Sequence, residues 1–385
     1  SDVCSSDLCG SHEVCADLPA PAPADDTGRE CSCAPGFWGP TCAPEVVFLE
    51  FGAAAGGDGL SWESAVGSFA DAFALGPHTV YVKQGVLNAT TTDPLLLVPT
   101  GMRVVGGIPA SAVGTESVPD PLTTTTLDGA LVAEHVVVLE AGATLEHMTV
   151  RRGNAVGTGA GDGVGGGIFI DGQDGVTLRN LIVADSRASY AGGGLACAGS
   201  DQLTIDQVTF DSNVASGPHS RGGGAHFVDC QGLMVDSTVT ANQSDSRDET
   251  SSRGGGLAMA RGAMELLRVT VANNTATGAI QGTPDVYVDG NAYGGGIYVE
   301  GPTTTTWSAV ELSNNTAAGR AAGVHSYRFG TVPTVLSPPG DGFGGGAYLG
   351  GDASITFSDL VVRDNTAQPG QAGTHSYWYC VGCAY

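Results

Sequence analysis

The sequence predicts an all-β solenoid, short strands wound into coils that stack turn on turn. Three observations carry this. Triple glycines recur at Gly165, Gly192, Gly222, Gly254, Gly294 and Gly344. The residues three and five beyond the first glycine are apolar in every copy: Ile168/Ile170, Leu195/Cys197, Ala225/Phe227, Leu257/Met259, Ile297/Val299 and Ala347/Leu349. Each copy closes on a small polar residue 20 or 21 positions after its first glycine: Ser186, Asn213, Asn242, Asn274, Asn315 or Asn365. Side chains alternate across a strand, so each alternation has one apolar edge that cannot be buried alone and needs a neighbouring coil.

Two further alternations follow in each copy. The second inward pair reads Val176/Leu178, Leu203/Ile205, Leu233/Val235 and Ile355/Phe357, with Glu265 and Thr305 falling where apolar residues are expected. The third reads Leu181/Val183, Val208/Phe210, Val269/Val271, Val310/Leu312 and Leu360/Val362. Three strands per coil are therefore expected. The glycines suit corners that need positive φ or close backbone approach. The closing Asn suits a corner too, by tolerating the left-handed region and by bonding the amide of the next coil. Neither Lys-Ser/Thr nor a helical pattern follows the glycines, which excludes a phosphate loop.

The repeat resembles right-handed parallel β-helix proteins of the pectin-lyase-like kind. It resembles in particular the polymorphic outer-membrane-type repeats, which pair a GG-small-apolar motif with F-x-x-N. Phe210-Asp211-Ser212-Asn213 matches the second motif, and Val239–Asn242, Val271–Asn274 and Val362–Asn365 match it with Val for Phe. The resemblance covers roughly residues 45–385 and implies the fold. That fold hosts lyases, hydrolases, adhesins and spacers alike, so it does not imply a function.

Residues 1–44 read as a separate module, with Cys4, Cys9, Cys15, Cys31, Cys33 and Cys42 too dense for a reducing compartment. The run Cys31-Ser-Cys33-Ala-Pro-Gly36-Phe37-Trp38-Gly39-Pro-Thr-Cys42 fits C-x-C-x5-G-x2-C and resembles an EGF-like module. That resemblance implies pairing of Cys4 with Cys15, Cys9 with Cys31 and Cys33 with Cys42. Calcium in such a module is left unassigned, because Ser1-Asp2-Val3 offers few acidic groups before the first Cys.

From residue 45 onward a solenoid is expected, with a cap over 45–80, early coils over 81–164 and triple-glycine coils over 165–385. Val46–Leu49 form a first strand. Ser61–Leu75 has Trp62, Ala65/Val66, Phe69 and Ala72/Phe73 at helical spacing with Ser61 as N-cap, so it reads as a cap helix with Trp62 as its core plug. Early strands are expected at Val80–Lys83, Leu95–Val98, Met102–Val105, His135–Leu139 and Thr144–Val150, with Asp128 at a corner.

The inserts between each closing residue and the next triple glycine grow along the chain from 5 to 28 residues. They collect Tyr287, Tyr293, His325, Tyr327, Arg328 and Phe329, and the tail adds His375, Tyr377, Trp378 and Tyr379. Aromatics with Arg on protruding segments are contact material, which marks these residues as a binding or assembly face. Cys380 and Cys383 are expected to close a small disulfide loop; Cys197 and Cys230 are left open between bonded and free. Asn88, Asn242, Asn273 and Asn314 lie in N-x-S/T sequons.

Composition narrows the function. A net charge of −25 with a single lysine, Lys83, gives no footprint for nucleic acid or an anionic membrane. No apolar run is long enough to span a bilayer as a helix. Starting at Ser1 rather than Met, the chain reads as a processed, secreted and bacterial product. For catalysis, one outward column reads Phe169, Ala196, His226, Ala258, Tyr298, Tyr348, and another Arg179, Asp206, Asp236, Arg268, Ser308, Ser358. Stacked Asp206 and Asp236 flanked by arginines are the one constellation resembling a site, and a charge-balanced surface ladder explains them better. The histidines lack metal-ligand spacing.

The reading is a non-enzymatic extracellular structural or adhesive element. It uses no cofactor and joins head to tail into a filament, because the chain stops at Tyr385 soon after a full coil. A glycan or cell-surface protein is the other partner expected. A polysaccharide lyase or hydrolase, or a monomeric adhesin, is the alternative.

Overall fold

The structure, a computed structural model, describes residues 13–17, 29–38, 42–157, 163–246, 251–278, 290–319, 341–350 and 352–369. The chain divides into two compact units. One comprises residues 1–87, 98–126 and 143–148; the other comprises 88–97, 127–142 and 149–385.

In the first unit Glu13–Asp17 pairs antiparallel with Arg29–Cys33, placing Cys15 opposite Cys31 in the register. Cys33 is bonded to Cys42, and Phe37–Trp38 pairs with Ala43–Pro44. Cys4 and Cys9 lie outside the described residues. Beyond these hairpins the strands become parallel: Val46–Leu49, Thr79–Lys83, Arg103–Ile108 and Thr144–Glu146 lie side by side in that order. The expected cap helix is broken. A 3-10 turn spans Trp62–Ser64 and an α-helix spans Phe69–Ala74, capped by Ser68, whose hydroxyl accepts from the Asp71 N–H; Ser61 makes no side-chain cap. The break is caused by Val66, whose N–H donates to the Phe48 carbonyl while its own carbonyl accepts from Glu50, so it extends the sheet instead of a helix. Trp62 is a buried plug as expected. Its ring meets Phe48 edge-on at 4.8 Å and its indole N–H donates to the Glu116 carbonyl at 2.7 Å. Lys83 sits 5.0 Å over that ring and pairs with Glu50 at 2.9 Å.

The second unit is a right-handed parallel β-helix. The first strands of the triple-glycine coils pair in register, Ile168 on Leu195 on Ala225 on Leu257 on Ile297 on Ala347. The third strands do the same, Val183 on Phe210 on Val239 on Val271 on Leu312 on Val362. In coils one to five every described member of these inward columns is buried.

The second-strand column corrects the sequence reading. Met234 is fully buried opposite Ile205, while Leu233 and Val235 are half-buried, and in the next coil Met264 and Leu266 point inward. The third and fourth copies close 20 rather than 21 residues after their first glycine. The missing residue lies before the second strand, and a one-residue shift turns every side chain to the opposite face. Glu265 is therefore an outward residue and no slip at all. Thr305 does point inward, and its hydroxyl donates to the Met264 carbonyl.

Each coil also has a fourth strand that the alternation did not announce. Arg187–Ala188, Val214–Gly217, Gln243–Ser246, Thr275–Thr277, Thr316–Ala318 and Thr366–Gln368 stack as one ladder. Its inward residues are Ala188, Ala215, Ser244, Ala276 and Ala317, too small to register as an apolar pattern. The inserts thus begin as regular strand.

The closing asparagines form a buried amide ladder. Asn213 Nδ2 donates to Asn242 Oδ1, Asn242 to Asn274 and Asn274 to Asn315, each at 3.0 Å, and Asn315 to Asn365 at 2.9 Å. Each Nδ2 also donates back to a third-strand carbonyl of the preceding coil, Val183, Phe210, Val239, Val271 and Leu312 in turn. The left-handed residue at this corner is the one before the closing Ser or Asn: Asp185, Ser212, Ala241, Asn273, Asn314 or Asp364.

Cys197 and Cys230 are bonded, with Cα atoms 6.4 Å apart. Asp229 at φ 53° turns the chain and aims Cys230 inward beside Cys197. Closing a loop of 33 residues constrains the unfolded chain by about 3–4 kcal/mol. Reduction, or a Cys197→Ala/Cys230→Ala pair, is expected to lower the urea midpoint by a corresponding amount, read by circular dichroism.

Among the described residues of the second unit Asp128 is the most deeply buried carboxylate, with its side chain 0 % exposed. Arg151 pairs with it at 2.8 Å and Arg152 at 2.6 Å, and the Ala130 N–H donates at 2.9 Å. Burial alone pushes its carboxyl up. The Arg152 hydrogen bond, the Ala130 N–H and the two arginine charges outweigh that and hold it below the usual range. A depressed folded value means the stabilisation is complete above the unfolded pKa, about 3.9, and is lost as pH falls through the folded one. Asp128→Asn is expected to cost about 1–3 kcal/mol at pH 7 and to flatten the acid limb of the stability profile below pH ~4, measured by denaturant titration.

Candidate functional site

The residues just before each triple glycine form a further ladder outside the coil. Val164, Ala191, Arg221 and Arg253 are joined by parallel bridges, and Ser252–Arg253, Ala292–Tyr293 and Gly342–Phe343 continue as paired strands. This outer file lies against the outward column of the first strands, Phe169, Ala196, His226, Ala258, Tyr298 and Tyr348. The reason is the glycine corner: the first glycine of each triplet turns left-handed, as at Gly254 with φ 66°, and folds the preceding residues back over the strand it opens.

The two files make a strip with three zones. Over the first coils it is apolar: Val164, Ala191 and Ala196 are buried with Phe169 and Tyr190 packed on them, and His135 stacks on Phe169 at 4.7 Å. Over the middle coils it is basic, with Arg221, Arg253 and His226. Over the last coils it is aromatic. Tyr298 stacks on Tyr348 at 5.6 Å with planes 3° apart, Tyr293 stacks on Phe343 at 5.1 Å, and Tyr293 meets Tyr348 edge-on at 4.9 Å. Arg253 joins the two zones, lying 5.4 Å over the Tyr298 ring and pairing with Glu300 at 3.2 Å. Burial pushes the Tyr298 phenol up.

Of the residues expected to form a contact face, Tyr293 lies in this aromatic zone. Tyr287, His325, Tyr327, Arg328, Phe329, His375, Tyr377, Trp378 and Tyr379 lie outside the described residues, as do Cys380 and Cys383. Sequence reading saw the column containing Tyr298 and Tyr348 but not the file that covers it. The signal was there in Arg221, Arg253, Tyr293 and Phe343, always at the position before the first glycine.

The Asp206/Asp236 constellation is not a site of facing carboxylates. Asp206 pairs with Arg179 at 3.1 Å and stands opposite Val235, while Asp236 occupies the next corner at φ 49° and is held by both nitrogens of the Arg268 fork. The short third copy shifts Asp236 by one place. The Arg268 hydrogen bond holds the Asp236 carboxyl below its ordinary range, as Arg261 does for Asp229 and Arg363 for Glu311. Among the described residues no three His, Cys, Asp or Glu side chains converge on a metal position, and no helix is long and apolar enough to cross a membrane.

No family model and no curated protein matches the chain. Its backbone is similar to that of several solved structures. A pectin methylesterase in complex with hexasaccharide VII shares 11% identity and a TM-score of 0.27, over 69% of this chain and 78% of that one. Pectin methylesterase PemA from Erwinia chrysanthemi shares 11% and 0.24, over 70% and 79%. The mannuronan C-5 epimerase AlgE4 A-module of Azotobacter vinelandii shares 13% and 0.24, over 85% and 100%.

Proposed function

We propose that the protein is a secreted, non-enzymatic, adhesive β-solenoid that binds an extracellular glycan or protein through the aromatic end of its outer strip. The observation that carries this is the double file of stacked rings, Tyr293/Phe343 beside Tyr298/Tyr348. Phe343 is 38 % exposed, although it is held in place by its stacking partners. The stack holds its outer members, Phe343 and Tyr348, in fixed orientations, so their exposed apolar surface is offered at little entropic cost to the CH faces of sugars or to apolar side chains. Two disulfides among the described residues support an oxidising, extracellular location, and an N-terminal EGF-like module fits with it.

The test is a glycan and matrix-protein binding screen with wild type and a Phe343→Ala/Tyr348→Ala variant. Saturable binding weakened about tenfold or more in the variant is expected, the scale of losing aromatic contacts worth about 1.5 kcal/mol. Equal binding by the variant defeats the assignment to these rings. Release of new reducing ends or unsaturated sugar from a polysaccharide would replace it with the enzyme reading.

Self-association has its own support. The sixth coil exposes inward-column residues that are buried in every coil before it: Leu349 at 44 %, Phe357 at 43 % and Val362 at 58 %. A second copy of this chain, adding its own strands there, would cover them. Concentration-dependent rods in electron micrographs, shortened by Val362→Asp, are expected. Monodisperse single particles at high concentration would exclude it.

A further inference from the structure

The middle of the outer strip concentrates positive charge in a chain that has little of it. Arg221 and Arg253 are directly bridged in the outer file, so two guanidinium groups start from backbones about 4.8 Å apart. His226 lies on the strand beneath, between Ala196 and Ala258 in the register, and is 6 % exposed. Its register neighbours above and below are alanines, and the Arg221 and Arg261 charges act on it. Three nitrogens here are buried without a hydrogen-bond partner among the described residues: Arg221 Nε, Arg253 Nε and His226 Nε2.

The nearby carboxylates leave the inner nitrogens unpaired. Glu300 takes Arg253 Nη1 at 3.2 Å and leaves its Nε open, and Asp229 is spent on a two-pronged pair with Arg261 at 2.7 and 3.0 Å. Arg221 has no carboxylate within ion-pair distance among the described residues. Burial, then the Arg221 and Arg261 charges, push His226 down to about 3, and burial with Arg253 and Arg221 pushes His219 down. His226 is therefore neutral at ordinary pH, and a neutral imidazole still offers one N–H. A native fold that bridges two arginines beside a buried imidazole and leaves these three inner nitrogens unpaired is organised around something that accepts.

We infer that Arg221, Arg253 and His226 form a binding site for an oxyanion, the carboxylate or sulfate group of an acidic ligand. Two guanidinium forks one rung apart fit the oxygens of such a group, and the imidazole N–H closes the third side. Neighbouring Tyr298 gives the rest of the ligand a ring to lie on. The site stands independently of the aromatic-strip reading, because a free oxyanion can fill it without any sugar.

The test titrates wild-type protein by calorimetry, in buffer free of polyvalent anions, with sodium sulfate, dextran sulfate, carboxymethyl dextran and uncharged dextran. Saturable binding of sulfate or of a charged dextran is expected, with none for uncharged dextran. The charged dextran that binds tells sulfate from carboxylate as the natural group. Arg221→Gln is expected to weaken binding about tenfold or more, the loss of one charge-assisted contact, while Arg179→Gln, an arginine paired elsewhere on the coil, leaves it unchanged. In case Arg221→Gln does not fold, the 15N and 1H shifts of the His226 imidazole in the wild type provide a second readout, and they should move on sulfate addition with the same midpoint. Wild-type affinity in Arg221→Gln, an unmoved His226 ring, or no saturable binding of any charged probe overturns the inference.

Discussion

Gly255→Ala is expected to abolish cooperative folding of the coils or to cost at least about 4–5 kcal/mol, whereas Gly172→Ala costs about 1 kcal/mol. The contrast isolates two reasons for glycine. Gly172 has φ 62° with open space where a Cβ would go, so alanine there meets backbone strain alone. At Gly255 a Cβ would fall on the Thr275 carbonyl oxygen at 2.5 Å and closer still on the Gly295 carbonyl oxygen, both of them backbone. Neither can give way, because Thr275 is in the fourth-strand ladder and Gly295 belongs to the next coil's corner. At the third glycine a Cβ would again meet the next coil, at Gly256 the Gly296 carbonyl oxygen at 2.9 Å, and also the side-chain amide of Asn274 at 3.0 Å. Urea titrations followed by circular dichroism measure both variants. Similar costs for the two would show that close packing at the corner is not what fixes the glycines.

Asn274→Ala is the second large effect, about 3–5 kcal/mol. It strands the Val239 carbonyl and the Asn242 backbone N–H in a buried column, and leaves the Asn242 side-chain amide with the Phe210 carbonyl alone and Asn315 Oδ1 with the residue-274 backbone N–H alone. Each orphaned group costs about 1–3 kcal/mol, and the sum is less than additive because survivors relax. Asn274→Asp is expected to do no better at neutral pH, since it presents an acceptor to the Val239 carbonyl where the amide donated. The same titrations decide it, with Asn273→Ala, on the exposed neighbour of Asn274, as the mild control. A cost below about 1 kcal/mol for Asn274→Ala would show the ladder to be incidental.

The fold was readable because its strongest signals are steric. The triple glycines, the apolar columns at Ile168 and Val183 and the closing amides all repeat, and repetition survives individual lapses. What escaped notice had no contrast of its own. Ala188, Ala215, Ala276 and Ala317 line a buried strand that alanine cannot advertise. One residue missing before Met234, and another before Met264, exchanged inside for outside in the second strands of two coils, and only the 20-residue spacing hinted at it. The Cys197–Cys230 bond depended on a left-handed Asp229, a conformation aspartate adopts readily but does not announce. The candidate site was half legible: Tyr298 and Tyr348 stood in a noted column, while Arg221 and His226 come together only because the chain doubles back at the glycine corner.

The asparagine column also sets how the molecule answers to load. Its bonds run along the stack, so tension applied between the chain ends opens one rung at a time instead of shearing all of them together. Successive first strands are 27 residues apart at Ile168 and Leu195 and 50 apart at Ile297 and Ala347. At about 3.4 Å per residue, an opened coil pays out roughly 90 Å of slack at the first spacing and 170 Å at the last. A tether built this way is a graded spool, and its longest turns lie toward the C-terminus.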